Sequence, residues 1–223
     1  MRLEGKTMVV TGGAGVLGQA VAGMAKANGA EVVLLDVVPE FESPLGRVYC
    51  IDLTDEQAVA ACFQEIGAVH AVANIAGGFD MGPSVDTTSD ALWDELFQIN
   101  VTTLRRVLAA AVPVMVAAGQ GSIVNVGALG AVRGNANMGA YTAAKSTVMR
   151  LTEALSDEVK ARGVNVNAVL PSLIDTPRNR ADMPDADFSA WVAPNDLAAV
   201  ICFLASDDAR AVHGALVPVS GLS

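Results

Sequence analysis

Tyr141 and Lys145 stand four residues apart in "NMGAYTAAKSTV", a stretch of small residues with helical character. A phenol titrates at about 10 in water, too high for ready proton exchange near neutral pH. An ammonium group one helical turn away favours the phenolate and can draw that value towards the working range, which makes the pair a candidate proton-transfer couple. Taken alone, Tyr-x-x-x-Lys also describes many helices with a half-buried tyrosine and a solvated lysine. Thirteen residues before the tyrosine, in "IVNVGALG", stands Ala128 beside Gly127.

A second chemistry sits near the start of the chain. "TGGAGVLG" follows an apolar run and opens a helical one, so Gly13, Gly15 and Gly18 satisfy G-x-G-x-x-G in the context that gives the pattern meaning. The first glycine permits a tight turn and the second lets backbone approach a pyrophosphate. The third lets helix and strand pack closely, with the phosphates at the positive end of the helix. Asp36 closes the second apolar run 18 residues after Gly18, where a carboxylate can accept hydrogen bonds from an adenosine ribose. That carboxylate would repel a 2′-phosphate, and the glycine loop offers no Lys or Arg to receive one, so NAD(H) is favoured over NADP(H). Asp52 can either contact the adenine amino group or cap the following helix.

These residues need a scaffold, and the hydropathy pattern supplies one. Short apolar runs alternate with longer stretches of helical period, without internal repeats, which implies repeated β-α units. Strands are expected in "KTMVVTG", "AEVVLLDV", "GRVYCIDLT", "AVHAVANIAGG", "GSIVNVGA", "VNVNAVLPS" and "GALVPVSG". Helices are expected in "GVLGQAVAGMAKANG", closed by Gly29, in "DEQAVAACFQEIG" begun by Thr54, and in "APNDLAAVICFLAS". Two longer ones run from about Ser89 to Ala118, with a kink expected at Pro113, and from about Met138 to Arg162. The predicted fold is a single-domain α/β structure over 1–223, a Rossmann-type doubly wound parallel sheet in three αβα layers. A polar, proline-bearing loop at about 171–193 follows the sixth strand, where such sheets carry substrate contacts.

Composition agrees. With 52 % hydrophobic but only 4 % aromatic residues, the core is built from Ala, Val, Leu and Ile, as in helices covering a parallel sheet. A net charge of −10 with scattered basic residues argues against nucleic acid or an anionic membrane as partner. No unbroken apolar run of spanning length and no signal-peptide pattern is evident, so a cytoplasmic location is expected. Cys50, Cys62, Cys202, His70 and His213 are isolated from one another and imply no metal.

Taken together, these stretches resemble the short-chain dehydrogenase/reductase family over nearly the whole chain, through "TGGAGVLG", "LLDV", "IDLTD", "VANIAGG", "FQINVTTL", "GSIVNV", "YTAAK", "VNVNAVLPSLIDTP" and "FLASDDARAVHGALVPVSG". The resemblance implies that Tyr141 gives or takes the proton, while Lys145 lowers its pKa and holds the nicotinamide ribose. Asn100 would organise a water and proton relay behind Lys145. Cofactor contacts would come from Gly12, Gly13, Gly15, Val16, Leu17 and Gly18 in the loop, then Asp36, Asp52 and Leu53. Asn74, Ala76 and Gly77 would form a floor, with Pro171, and with Thr176 on the carboxamide. A small-molecule substrate and a homodimer or homotetramer, paired through the apolar helices from Ser89 and Met138, are also implied.

The chain departs from the family pattern twice. Val16 stands where a glycine is usual, and Ala128 stands where most members carry a serine that steadies the substrate oxygen. Losing one oxyanion donor typically costs roughly 10²–10³ in rate, which disfavours ordinary ketone reduction. The dihydropteridine reductase branch also has alanine there, and the chain is similar to it in "GGAGVLG" and in the loop "IDTPRNRADMPDADFSAW". An electron-poor conjugated acceptor takes up hydride without charge localising on one alkoxide, so the hydroxyl is dispensable. Asn100 belongs instead to the carbonyl-reducing pattern, which keeps a keto/hydroxy reductase or dehydrogenase open. A non-catalytic NAD-binding sensor is a further alternative, which retention of both Tyr141 and Lys145 opposes. Arg178, Asn179 and Trp191 are candidate substrate contacts, with Trp191 alternatively packing beneath the loop.

Overall fold

A computed structural model describes residues 2–222; the expected domain over 1–223 therefore includes two terminal residues, 1 and 223, that lie outside the described residues. Seven strands form one sheet: β1 (Thr7–Thr11), β2 (Glu31–Asp36), β3 (Arg47–Cys50), β4 (Ala71–Asn74), β5 (Gly121–Val126), β6 (Val164–Pro171) and β7 (Leu216–Val219). Their order is β3-β2-β1-β4-β5-β6-β7 and every pairing is parallel. The chain therefore starts in the middle, winds to one edge, and returns across β1 to build the other half. The crevice where winding reverses lies between β1 and β4, at their carboxyl ends.

Helices α1 (Val16–Ala27) and α7 (Pro194–Leu204) cover one face; α2 (Glu56–Ile66), α4 (Thr103–Ala118) and α5 (Gly139–Val159) cover the other. The period-2 geometry of strands divides their residues between two apolar layers. Met8, Val10, Val32 and Leu34 pack with Val21 and Ile201. Val9, Val33 and Leu35 pack with Val59, Phe63 and Val107 on the opposite side. Strands buried on both faces read as unbroken Val/Leu runs, which is why they stood out in the sequence.

Two boundaries differ from expectation. Helix α2 is capped by Asp55, whose Oδ1 accepts from Gln57 N at 2.9 Å and Ala58 N at 3.0 Å, and not begun by Thr54. The helix after Ser89 does run to Ala118, but Pro113 lies within regular α4. Its irregularity falls earlier, in a π-turn at Gln98–Thr102 between α3 (Asp90–Phe97) and α4. That continuous helix, Asp90–Ala118, is also long and apolar enough by length and composition to cross a membrane, contrary to the sequence expectation. One side of it, with Leu104, Val107, Ala111 and Met115, is buried against the sheet. The opposite side leaves Ala109, Pro113 and Ala117 exposed.

Candidate active site

At the cofactor end, β1 runs into a loop that only glycine can build. Gly12 takes the left-handed turn at φ +68°, the task the sequence had suggested for Gly13. Gly13 instead makes room for Leu34, 2.8 Å from where its Cβ would lie. A Cβ on Gly18 would fall 2.1 Å from the Gly12 carbonyl oxygen, so the loop folds back directly on the first turn of α1. Gly15 caps α1 with no side-chain acceptor, leaving the first-turn amides for an anion. Val16, in place of the usual glycine, is substantially exposed and crosses nothing in the loop.

Asp36 ends β2 beside this loop: its Oδ2 accepts from Ala14 N at 2.8 Å and its Oδ1 from Val38 N at 3.1 Å. Each oxygen keeps capacity for a further donor such as a ribose hydroxyl. Asp52 does not cap α2. It accepts from Thr54 N and Oγ1, both at 2.8 Å, and those bonds hold its carboxyl below the usual range. Leu53, Asn74 and Ala76 line a narrow cleft together with Thr11 and Thr103. Asn74 Oδ1 is a buried acceptor without a hydrogen-bond partner. A phosphate-ready helix end, a carboxylate with spare lone pairs and an acceptor awaiting a donor suit a dinucleotide.

At the other end, α5 presents Tyr141 and Lys145. Lys145 is buried and donates to Val126 O at 3.0 Å, and burial brings its pKa down to about 8. Asn100, in the π-turn, comes to the same place: a Cβ on Gly77 would lie 2.6 Å from Asn100 Oδ1 and 3.2 Å from Lys145 Nζ. The fold thus gathers Lys145, Asn100 and Gly77 at one place. The expected lowering of the Tyr141 pKa is not found. Burial pushes that phenol up to about 12, and the lysine, aimed at the β5 carbonyl end and itself desolvated, does not offset it. Ala128 is buried in a small apolar group with Ala131, Met149 and Leu170, against which Tyr141 packs.

The loop after β6 is more ordered than expected, and its order employs several candidates. Pro171 is buried at the end of β6, paired with Val219. Thr176 caps a short helix, α6 (Pro177–Asp182), by accepting from Asn179 N at 3.2 Å, which leaves its hydroxyl proton free to donate. Asn179 Nδ2 donates to Ile174 O at 2.8 Å, so the side chain helps to shape the loop. Trp191 is 7 % exposed and packs edge-on to Phe188, the alternative left open by the sequence. Arg178 points to solvent, 3.7 Å from Asp182.

Three contributors were missed. Thr11 Oγ1 accepts from Ile75 N and Ala76 N, both at 3.0 Å, and so hangs the segment after β4 on the end of β1. A buried chain runs from Asn74 Nδ2 to Asn125 Oδ1 at 2.9 Å and from Asn125 Nδ2 to Thr152 Oγ1 at 2.9 Å, fixing α5 to β5 and β4. Phe79 stands 4.8 Å from Tyr141, centroid to centroid, with the rings nearly perpendicular. Its one sequence signal was an aromatic immediately after "AGG" in a chain that has few.

A family model described as Enoyl-(Acyl carrier protein) reductase matches residues 12–221. Among curated relatives, the short chain dehydrogenase adrF of Penicillium rubens is 30% identical over 97% of this chain and 96% of its own length. The 3-oxoacyl-(acyl-carrier-protein) reductase FabG of Thermotoga maritima is 31% identical over 99% and 98%. A solved short chain dehydrogenase/reductase family protein superposes with a TM-score of 0.92 at 33% identity, over 99% of this chain and 98% of that one. A protein from Beutenbergia cavernae described as an NAD(P) dependent gluconate 5-dehydrogenase, with NADP bound at low occupancy, gives 0.89 at 30% over 98% and 96%. Carveol dehydrogenase from Mycobacterium avium in complex with NAD gives 0.87 at 26% over 98% and 97%.

Proposed function

The chain belongs to the short-chain dehydrogenase/reductase family, an NAD(P)-dependent oxidoreductase on a Rossmann-type fold acting on a small molecule, and from that premise we propose that it reduces a small conjugated acceptor with NADH, in the manner of dihydropteridine reductase. The observation that carries this reading is Ala128: the side chain beside the Tyr141 ring is a methyl group, with no hydroxyl to stabilise an alkoxide. A conjugated acceptor spreads the incoming charge and has less need of that donor.

A bound nicotinamide supplies the hydride. The protein's part is to hold it and to deliver a proton. The amides at the start of α1 receive the pyrophosphate, Asp36 the adenosine ribose, and Thr176 the carboxamide through its free hydroxyl proton. Lys145, still largely protonated at neutral pH with a pKa of about 8, offers its ammonium to ribose oxygens near Gly77. A phenol pushed up to about 12 is fully protonated at pH 7, which suits Tyr141 to the role of acid in the reductive direction. Asp36, and the lack of Lys or Arg in the glycine loop, favour NAD(H), although the similar structures carry either dinucleotide. Ala109, Pro113 and Ala117 expose an apolar side of α4, consistent with a homodimer or homotetramer paired there.

Carbonyl reduction is the second reading. Asn100 beside Lys145 and the 3-oxoacyl and sugar-acid activities named for similar proteins favour it. NADH oxidation with quinonoid dihydropterin and with saturated ketones separates the two. On the first reading the pterin is turned over, Tyr141→Phe lowers that rate by about 10³-fold, and Ala128→Ser raises ketone turnover by roughly 10²-fold with little change for the pterin. Good ketone turnover by the unaltered protein, with the pterin ignored, transfers the assignment to carbonyl reduction.

A further inference from the structure

Among the described residues, Phe79 is the one aromatic ring that meets Tyr141, and two features of the fold place it there. The first is a clasp on the preceding peptide. Asn100 accepts from Gly78 N through Oδ1 at 3.2 Å and donates from Nδ2 to Gly78 O at 3.0 Å. Both polar atoms of Gly78 are thereby held by one amide, whose Nδ2 also reaches Leu96 O at 2.9 Å. The second is the anchoring of the loop beyond. Gly82 N donates to Asn137 O at 3.0 Å, just before α5, and a Cβ on Gly139 would lie 2.7 Å from Val85 Cγ2. The loop carrying Phe79 is thus fastened at one end to the π-turn that carries Asn100 and at the other to the start of α5, which carries Tyr141 and Lys145.

So fastened, the ring remains 48% exposed, an unusual state for a phenylalanine next to a half-buried tyrosine. Met81 and Val85, in the same loop, are also exposed, and a narrow open cleft lined by Met81, Leu92, Met138 and Tyr141 adjoins, between this loop and the start of α5. The tyrosine also packs against the apolar group of Ala128, Ala131, Met149 and Leu170, which brings no hydroxyl to it. A half-exposed apolar ring set edge-on beside a phenol offers a face on which a flat ring can stack while the phenol hydrogen-bonds its edge.

We propose that Phe79 is the specificity-determining wall of this site, selecting flat, unsaturated acceptors over saturated ones of equal size, and that Asn100 is the positioning residue that holds it over Tyr141. The assignment rests on the oxidoreductase reading of Tyr141 and narrows its substrate class. Its test is a matched pair, a phenyl diketone and its cyclohexyl counterpart, measured as kcat/KM with NADH and as calorimetric affinity for the NADH-loaded protein. The unaltered protein prefers the phenyl member. Phe79→Leu, which keeps bulk but loses the ring, lowers that preference about tenfold, mainly through KM or Kd, and leaves NADH affinity unchanged. Asn100→Ala moves the ratio in the same direction, whereas a merely structural loss reduces both members alike. Equal affinity of the unaltered protein for the pair, or a ratio unmoved by Phe79→Leu, overturns the assignment. Undiminished turnover in Tyr141→Phe overturns the proton-donor reading alone, since the affinity ratio is read without turnover.

Discussion

At the β1–β2 end of the sheet's carboxyl edge, the binding surface is main chain: the turn at Gly12, the first-turn amides of α1 and one carboxylate at the end of β2. At the β4–β5–β6 end it is side chains brought from five separated segments, Phe79, Asn100, Ala128, Tyr141 with Lys145, and Thr176. A surface of backbone is unforgiving, because each glycine is fixed by a specific close approach. A surface of side chains can be retuned one residue at a time without disturbing the frame that holds it. The contrast explains how one fold keeps its cofactor and changes its substrate.

Lys145 is where the two ends meet, and its replacement should have the largest effect. Lys145→Met is expected to lower turnover by about 10³-fold, within the range of lost acid–base chemistry. It should also stabilise the cofactor-free protein at neutral pH. The folded state holds this ammonium at about 8 against an ordinary 10.5, so between those values the unfolded chain binds the extra proton and stability rises with pH. Below pH 8 the burial penalty, on the order of 3 kcal/mol, is present in full. Thermal melts from pH 7 to 10.5 should show a rise in the unaltered protein that is missing from the variant; parallel curves would deny that the lysine is desolvated.

Gly18→Ala tests the unforgiving end. A methyl group 2.1 Å from the Gly12 carbonyl must displace backbone, and a cost of about 2–3 kcal/mol is expected for such overpacking. NADH affinity should fall by about 10²-fold, measured by fluorescence titration, with the melting temperature lowered as well. Asp36→Ala should be milder, about a tenfold loss in NADH affinity with a gain for NADPH, since charge-assisted hydrogen bonds are worth about 1.5–3 kcal/mol. Binding of both dinucleotides unchanged would displace the ribose from Asp36. The smallest effect is expected at the tunable end: Arg178→Ala removes an exposed pair at 3.7 Å from Asp182 and should change kcat/KM less than twofold.

The same contrast governs what could be read from residues alone. The glycine loop, Asp36 and the Tyr141–Lys145 pair lie within short stretches whose spacing is itself the signal, and the two-faced burial of β1, β2, β5 and β6 made their apolar runs conspicuous. Phe79 has no such spacing to Tyr141: the two are 62 residues apart and meet through the Asn100 clasp on Gly78 and the tie of Gly82 to Asn137. Thr11 and the Asn74–Asn125–Thr152 chain were invisible for the same reason, being long-range hydrogen bonds between strands and helix that no local period reveals. Thr176, Asn179 and Trp191 were assigned to ligands when much of their bonding or burial shapes the loop itself. A polar loop rich in Pro, Asp and Asn reads as irregular, yet its short-range caps give it shape. The Tyr141 titration was misjudged because the period of a helix gives proximity to a cation but not the burial of either partner.

The π-turn at Gln98–Thr102 inserts an extra residue into a helical turn, and such a turn re-phases everything before it by roughly 100° about the axis. At the turn, through Asn100, the helix addresses the loop that carries Phe79; downstream it addresses the sheet. A single-residue deletion there would restore an unbroken ladder and swing Asn100 away from Gly78, silencing the site while sparing the scaffold. The helix works as a clutch between two registers, its turn engaged with Gly78 through Asn100 and its later half with the sheet.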